Sequence, residues 1–505
     1  MRRVRMVGLA LFLVFSLAFA GCGRGSSSQT APGKEPVTLT VGIPADIDNF
    51  DPHTNQLVAY FTIRYTVFEP LVKYDKDLKV QPCLAEKWSL DGDRTWVFTI
   101  RQGVKFHDGH ELTPQDVKYT IERVQDKNTG SFLQPYFENV ESVAVEGRNV
   151  RITLKTPNPA FLNDLVPLAI VYREAAPNLK QQPVGTGPFK FVSWSPNERV
   201  VLEKTNDYWQ PGLPKIDKLV LRPLPDPKLM VSNLEAGTVD VITEVPMPEI
   251  PRLSGNASIQ LVRPSSSNKI ALFEIAQKNH KAFSDPKVLQ ALAHALDRDS
   301  INKTVFHGMG KVIPGPFPSA VWSAQQSGGY PYDLEKARTL LKEAGWSKGL
   351  EFDLITPVGY PELEKMCVMW QASLSEIGVK ANVKVQEVPQ WLEAYIGRTY
   401  HITANFYPQL SADPSTYCNQ ILLPLVQASM PDNELVVSLM TKGATTVDEA
   451  ERRATYEELQ RVVLERLPVL TVCEIPVAAA AAAKVKGLEI NPAGVLWFHG
   501  VSVEP

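Results

Sequence analysis

The chain has 505 residues, of which 44% are hydrophobic, 21% charged and 9% aromatic, with 30 Gly and 40 Pro. This composition is typical of a globular protein of about three compact units, and it excludes disordered, collagen-like and coiled-coil chains. The net charge of −3 lacks the basic surplus that nucleic-acid binding requires, so we expect no nucleic-acid partner.

Residues 1–21 have the pattern of a secretory signal peptide. Three arginines within the first five residues precede an apolar run from Met6 to Gly21. A helix of this length spans about 24 Å, which is less than the ~30 Å hydrocarbon core of a bilayer. The run ends in small residues, as a cleaved signal does, so we predict that 1–21 are removed.

The residues that follow the apolar run indicate a lipid anchor. The sequence FAGC at 19–22 resembles a bacterial lipobox, which implies that diacylglycerol is attached to Cys22, the first residue of the mature chain. Residues 22–36 are then a lipid-anchored flexible tether rich in Gly, Ser and Pro. The alternative is a simple signal peptide followed by a chance cysteine. Because no later segment has 18 consecutive apolar residues, we expect membrane contact through the anchor only.

The first half of the mature chain is predicted to be rich in strands. Alternating and β-branched residues predict strands at 37–41, 95–100, 150–154, 200–202 and 218–222. A helix is predicted to begin at Thr113-Pro114, because Thr is a favoured N-cap residue and Pro a favoured first helical residue.

The second half alternates helices with strands. Apolar periodicity predicts helices at 287–296, 334–344, 363–377 and 447–467, and strands at 351–355 and 380–385. The six alanines at 478–483 fit a helix or a buried strand equally well. Two halves of such different character predict two lobes.

The cysteine pattern excludes a zinc ribbon and a disulfide-stapled miniprotein. The five cysteines, at positions 22, 83, 367, 418 and 473, form no CxxC pair. Loss of Cys22 to the anchor leaves four, which allow three disulfide pairings, and the sequence does not choose among them.

Two motifs carry residues that suggest chemistry, and both are better explained as structure. The sequence HDGHE at 107–111 contains metal-ligand residue types, but it lies on a glycine-containing loop and is not the helical HExxH arrangement. The sequence GTG at 185–187 is followed by Pro188 and a strand, whereas a phosphate-binding loop leads into a helix. No nucleophile motif is present, so we expect neither an enzyme nor a cofactor.

Three long stretches resemble one family. They are PCLAEKW at 82–88 with IRQGVKFHDG at 100–109; VGTGPFK at 184–190 with NDYW at 206–209 and LEAG at 234–237; and ALAHALDR at 291–298 with DLEKARTLLKEAG at 333–345. Together they resemble the family 5 extracellular solute-binding proteins of ABC importers, which include dipeptide-, oligopeptide- and nickel-binding proteins. The order and spacing match over about 37–505.

The resemblance implies an α/β, two-lobed periplasmic-binding-protein-like fold of the type II or cluster C style, with an extra subdomain in the larger lobe. The implied boundaries are 37–275 for lobe 1, including the subdomain at about 71–185; 276–469 for lobe 2; and 470–505 for the return to lobe 1. Trp88, 103–109 and 185–189 are then scaffold elements. The ligand lies in the cleft between the lobes, which closes about a hinge.

The resemblance also supplies candidate ligand-binding residues. A first cleft loop at 48–53 and a second-lobe loop at 406–417, together with nearby aromatic residues, give Asn49, Phe50, Asp51, His53, Tyr60, Trp391, Phe406, Tyr407, Leu410, Asp413 and Tyr417. Peptide-binding relatives place an aspartate where Leu410 stands, to hold the peptide amine. We therefore expect weak binding of free-amine dipeptides unless Asp51 or Asp413 takes that role.

The function implied is that of an extracytoplasmic, lipid-anchored, monomeric binding protein. It captures a peptide or peptide-sized polar solute and delivers it to an ABC permease with its ATPase. A metal-chelate (nickel-type) or heme carrier is the alternative, because VFEPLVKY at 67–74 matches nickel-binding relatives. The absence of histidine between 402 and 498 counts against that alternative. A third alternative is an exported hydrolase, for which no reactive centre is visible.

Overall fold

The computed structural model describes residues 35–55, 58–325, 328–409 and 411–504. The predicted signal peptide, Cys22 and Leu410 lie outside these residues. No helix within the described ranges combines the length and the apolar character needed to cross a bilayer.

A seven-stranded sheet organises the first lobe. Its order is Ile259–Val262, Ala479–Ala482, Val241–Ile242, Thr38–Ile43, Lys218–Pro223, Arg199–Lys204 and Phe189–Ser195. The central strand Thr38–Ile43 pairs in parallel with both of its neighbours. Helix Val58–Val67 packs on one face, and helices Pro227–Glu235 and Ile250–Ser254 pack on the other. The alanine run is therefore a strand, because its small side chains are buried in the cores of both faces.

A five-stranded sheet organises the second lobe. Its order is Lys380–Gln386, Glu351–Pro357, Ile402–Pro408, Lys269–Ile275 and Val469–Glu474. One face is covered by Pro286–His294, Arg298–Val305, Leu334–Glu343 and Pro361–Glu376; the other by Val388–Gly397, Pro414–Tyr417, Leu423–Ser429, Glu434–Thr445 and Glu449–Arg466. Both faces of this sheet are thus buried beneath helices.

A subdomain is built on a four-stranded antiparallel sheet with the order Ala85–Asp91, Thr95–Ile100, Asn149–Leu154 and Val140–Glu146. Helix Pro114–Gln125 covers it, and the predicted start of this helix is confirmed: the backbone N–H of Thr113 donates to Asp116 Oδ2 at 2.8 Å. Shorter elements are the strand pairs Val72–Tyr74 with Val80–Pro82, Val485–Lys486 with Ser502–Val503, and Glu489–Ile490 with Leu496–Trp497, and the helices Gln134–Phe137 and Phe161–Leu165.

The chain crosses from the seven-stranded to the five-stranded sheet earlier, and returns later, than the resemblance implied. Strand Lys269–Ile275, assigned above to lobe 1, lies in the five-stranded sheet, as does Val469–Glu474. The crossings therefore fall between Val262 and Lys269 and between Glu474 and Ala479. A strand that is buried on both faces appears in the sequence as a continuous apolar run. Such a run does not indicate which of two sheets the strand joins.

The GTG sequence is a site of close backbone packing. A Cβ added to Gly185 would lie 2.0 Å from the carbonyl oxygen of Val67, and one added to Gly187 would lie 2.6 Å from that of Thr66. The Gly187 N–H donates to the Val67 carbonyl at 3.0 Å. The glycines therefore let this segment contact the end of helix Val58–Val67, which is a structural role.

The remaining sequence motifs have plain structural outcomes. The described residues contain no group of three or more His, Cys, Asp or Glu that could hold a metal ion. In the 107–111 loop, His107 Nε2 donates to the Gly187 carbonyl at 2.9 Å. The four cysteines within the described ranges, Cys83, Cys367, Cys418 and Cys473, are all buried and form no disulfide.

Candidate functional site

Two adjoining cavities lie beside the subdomain, and the larger of them lies where the two lobes and the subdomain meet. Their volumes are about 550 Å³ and about 470 Å³, counting space that opens to solvent. The two share five wall residues: Tyr65, Tyr74, Val166, Asn491 and Val495. We call the two together the interlobe cavity. Its walls come from the helix at 58–67, the subdomain, the second-lobe segment 411–420 and the C-terminal segment 491–499.

Asp164 gives the larger cavity a carboxyl group. Its side chain is half-buried at the end of helix Phe161–Leu165, and Asn158 Nδ2 donates to its Oδ2 at 2.9 Å. Within the described ranges, no basic side chain forms an ion pair with it. Burial raises the pKa of Asp164 to about 8, against the effect of the Asn158 hydrogen bond, and the charge of Asp413 adds to the rise.

Lys73 gives the smaller cavity a positive group. Its side chain is half-buried, and no other residue of the described chain forms a hydrogen bond or ion pair with its ammonium. The nearby carboxylate of Glu69 has other partners, accepting hydrogen bonds from Tyr208 Oη at 2.7 Å, Trp209 Nε1 at 2.9 Å and Thr186 Oγ1 at 3.0 Å. Glu69 is therefore satisfied by neutral donors, and the Lys73 ammonium remains available.

His499 lies in the same cavity as Lys73 and is neutral at pH 7. Burial, reinforced by the charge of Lys73, lowers the pKa of His499 to about 4. The smaller cavity therefore presents the Lys73 ammonium beside an uncharged imidazole and the hydrogen-bonded carboxyl group of Glu69.

A chain of hydrogen bonds crosses the wall of the larger cavity. Gln420 Nε2, from the second lobe, donates to the phenol oxygen of Tyr136 in the subdomain, and Tyr407 Oη donates to Gln420 Oε1. This link joins the subdomain to the second lobe, and it gives the predicted residue Tyr407 an indirect place at the cavity.

The structure places the predicted first cleft loop inside the first lobe. Arg123 Nη2 lies 2.6 Å from Asp51 Oδ2, and Arg123 Nη1 donates to His53 Nδ1 at 2.5 Å. His53 Nε2 donates to the carbonyl of Ala169 at 2.8 Å. Asp51 and His53 are buried, and their polar atoms are used by these internal bonds.

The other residues predicted near that loop have structural contacts as well. Asn49 Oδ1 accepts a hydrogen bond from the Asp51 N–H at 2.9 Å. Phe50 and Tyr60 are fully buried in the core beneath the seven-stranded sheet, and Tyr60 Oη donates to the Phe50 carbonyl. Neither residue lines the interlobe cavity.

The predicted second-lobe residues are dispersed. Asp413 caps the helix Pro414–Tyr417 and is ion-paired with Arg452. Trp391 Nε1 donates to Thr403 Oγ1 at 3.0 Å, Tyr417 is buried, and Phe406 packs against the core on the opposite face of the sheet from Tyr417. The cavity wall from this lobe is instead formed by their neighbours Ser411, Thr416 and Gln420.

The buried histidine of the first loop predicts acid sensitivity. Burial, reinforced by Arg123, lowers the pKa of His53 to about 4, whereas in the unfolded chain it is about 6.5. Between these values only the unfolded state takes up the proton, so stability is lost as pH falls from 6.5 to 4. We expect His53 to account for about 1–3 kcal/mol of this loss.

Urea unfolding at several pH values tests this expectation. His53→Gln should flatten the dependence of the unfolding free energy on pH between 6.5 and 4. The exposed His307→Asn is the control and should leave the slope unchanged. An identical slope in wild type and His53→Gln contradicts the expectation.

Asp164 and Lys73 were not among the predicted site residues. Asp164 belongs to no recognisable motif. Lys73 lies in the VFEPLVKY stretch at 67–74, but that stretch does not distinguish it from a surface charge. What marks them is the lack of a partner inside a cavity, which depends on residues far away in sequence.

Comparison with known proteins places the chain in a family. Residues 79–426 match the family model described as bacterial extracellular solute-binding proteins, family 5 middle. The glutathione-binding protein GsiB of Pectobacterium atrosepticum is 28% identical over 480 residues, covering 91% of this chain and 93% of the relative. GsiB of Salmonella typhimurium is 28% identical, covering 94% and 96% of the two chains.

Solved structures agree with this assignment. HbpA2 from Haemophilus parasuis superposes with a TM-score of 0.83 at 26% identity, covering 93% of this chain and 100% of the other. DppA from Helicobacter pylori, in complex with the peptide STSA, gives a TM-score of 0.76 at 25% identity, covering 93% and 99%. The two-lobed α/β fold predicted from the sequence is confirmed, and the chain belongs to the family 5 bacterial extracellular solute-binding proteins.

Proposed function

We propose that the protein is the extracytoplasmic substrate-binding component of an ABC importer, and that it captures a peptide-sized polar solute in the interlobe cavity. One observation carries the proposal: the cavity is walled by both lobes, and it holds the Asp164 carboxyl and the Lys73 ammonium, which form no ion pair among the described residues. A solute there touches both lobes at once, so it stabilises the closed arrangement over an open one. The closed protein then delivers the solute to a permease with its ATPase.

The relatives of the chain support this class of solute. Relatives named for glutathione binding and a solved relative that holds the peptide STSA are consistent with a solute of a few residues.

The test combines co-purified solute with thermal stability. We expect mass spectrometry of the purified protein to find a peptide-sized solute, and added glutathione or short peptides to raise the unfolding free energy. The gain should be roughly 2.7 kcal/mol at a concentration of 100 times Kd.

A matched pair of variants locates the binding. Ala493→Trp fills the wall of the larger cavity and should abolish the stabilisation, whereas Ala144→Trp, on an exposed strand of the subdomain, should preserve it. If no solute stabilises the wild type, or if Ala493→Trp responds as the wild type does, the proposal is wrong.

His499 favours a second candidate, the capture of a metal chelate. A neutral imidazole is a good metal ligand, and this one faces the cavity beyond the segment that the sequence analysis searched for histidine. Since the described residues contain no cluster of three or more His, Cys, Asp or Glu, the metal would arrive with ligands of its own. The Ni(L-His)₂ complex therefore belongs in the same stability assay. Stabilisation by this complex that is lost in His499→Gln supports this candidate over a peptide.

We also propose that Cys22 carries the lipid that holds the protein at the membrane. The support is the lipobox-like FAGC sequence and the tether that follows it. Two or three acyl chains anchor a protein stably where one does not. We expect Cys22→Ser to move the protein from the membrane to the soluble fraction, while Ser27→Ala in the tether leaves it at the membrane. Equal membrane partitioning of Cys22→Ser and wild type contradicts the proposal.

A further inference from the structure

Most charged groups near the interlobe cavity are already neutralised by the protein. Asp413 is paired with Arg452, and Asp51 is paired with Arg123. Arg64 is an exception, because its buried guanidinium lies 4.6 Å from the ring centre of Phe61 and forms no ion pair among the described residues, but it does not line the cavity. Two wall residues of opposite sign therefore stand apart from this pattern, Asp164 and Lys73.

The carboxyl group of Asp164 is arranged to accept a cation. Asn158 occupies Oδ2, and within the described ranges no donor bonds to Oδ1. A carboxylate left unpaired in a partly desolvated site gains much from an ammonium, because the charge-assisted hydrogen bond is stronger there than in water.

The Lys73 ammonium is arranged to accept an anion. It lines the smaller cavity, and the acid that shares this cavity, Glu69, is held by neutral donors instead. A carboxylate entering this cavity would find a donor group without a competing ion pair.

The two charges lie in cavities that share walls. The shared residues Tyr65, Tyr74 and Val166 present rings and an apolar side chain between the two ends, and Asn491 adds an amide. A solute that spans both cavities would therefore have a charge at each end and a less polar middle.

We propose that the interlobe cavity selects zwitterionic solutes, with Asp164 binding the ammonium group and Lys73 binding the carboxylate. This assignment rests on the proposed function and adds the chemistry of recognition. It places the amine-binding carboxylate in the subdomain, whereas the family resemblance implies a position in the second-lobe loop.

The assignment implies that amine binding depends on pH. Asp164 must lose its proton to bind an ammonium, and burial has raised the pKa of its carboxyl to about 8. The groups facing it do not titrate in this range: the pKa values of Tyr74 and Tyr136 are raised by burial, and Asp413 is held ionised chiefly by Arg452. The affinity for amine solutes should therefore rise up to roughly tenfold per pH unit between pH 6 and 7.

Competition among chemically capped solutes tests the assignment. Immobilised protein is equilibrated with glutathione and a set of di- to tetrapeptides, each supplied free, N-acetylated and as the C-terminal amide or ester, and the retained forms are quantified by mass spectrometry. The wild type should retain the free forms at least tenfold better than either capped form.

Variants of Asp164 and Lys73 test recognition of the ammonium end and the carboxylate end of the solute separately. Asp164→Asn keeps the shape of the side chain and should lose only the discrimination against N-acetylation and the pH dependence. Lys73→Gln should lose only the discrimination against C-terminal capping. The exposed Asp93→Asn and Lys87→Gln are the matched controls and should behave as the wild type. Thermal unfolding verifies that each variant is folded.

The outcomes distinguish a failure of the zwitterion assignment from a failure of the proposed solute-binding function. Retention of some solute without discrimination between free and capped forms overturns the inference alone, as does discrimination that persists in Asp164→Asn and Lys73→Gln. Retention of no solute by the folded wild type overturns the proposed function and the inference with it.

Discussion

Gly185→Ala is expected to lower the unfolding free energy by about 3 kcal/mol or more, because it forces backbone segments apart. The added Cβ would lie 2.0 Å from the carbonyl oxygen of Val67 and 2.8 Å from its carbonyl carbon. Neither atom can move without displacing the end of helix Val58–Val67, which forms part of the first-lobe core. Overpacking usually costs about 1–3 kcal/mol, and a clash between backbones lies at the upper end.

Urea unfolding of Gly185→Ala beside Gly255→Ala checks this expectation. Gly255 has an ordinary negative φ of −88°, and the nearest atom to its added Cβ is 3.6 Å away, so alanine should be tolerated there. If the two variants unfold at the same urea concentration as the wild type, the close packing at Gly185 is not essential.

Local elements were predictable because their signals are local. The strand at 95–100 and the helix beginning after Thr113 appear in the structure where apolar alternation and capping chemistry placed them. The exclusion of a phosphate loop at 185–187 was also a local argument. Sequence could not show that these glycines contact residues near 67, because that contact is made across the fold.

The cleft residues were harder to predict, because the role of a charge depends on its partner. Asp51 and Asp413 follow the polar loop pattern of a binding site, yet each is engaged by an arginine, the first 72 and the second 39 residues away. Asp164 has no such partner among the residues that the structure describes, and it belongs to no motif. Only the folded chain distinguishes a carboxylate that is neutralised from one that remains free.

The buried pair of Asp413 and Arg452 leads to the second large effect. Arg452 Nη1 and Nη2 lie 2.7 Å and 2.8 Å from the two carboxylate oxygens, and both side chains are buried. Arg452→Met removes the cation and leaves a buried carboxylate, which should cost about 3–5 kcal/mol at pH 7. The exposed neighbour Arg453→Met is the matched control and should cost much less.

The dependence of this loss on pH identifies its cause. Burial alone would raise the pKa of Asp413. The hydrogen bonds and positive charge of Arg452, together with the hydrogen bonds from Ser415, hold that pKa below its usual value. The stability that the ionised pair provides is therefore present above pH 4 and is lost as pH falls further. In Arg452→Met the carboxyl can take up a proton instead, so the difference in unfolding free energy from the wild type should shrink between pH 7 and pH 4.

Adding Asp413→Asn to Arg452→Met should recover part of the loss at pH 7, because no unpaired charge remains. A loss that is the same at every pH, with no recovery in the double variant, would show that Arg452 acts through packing rather than charge.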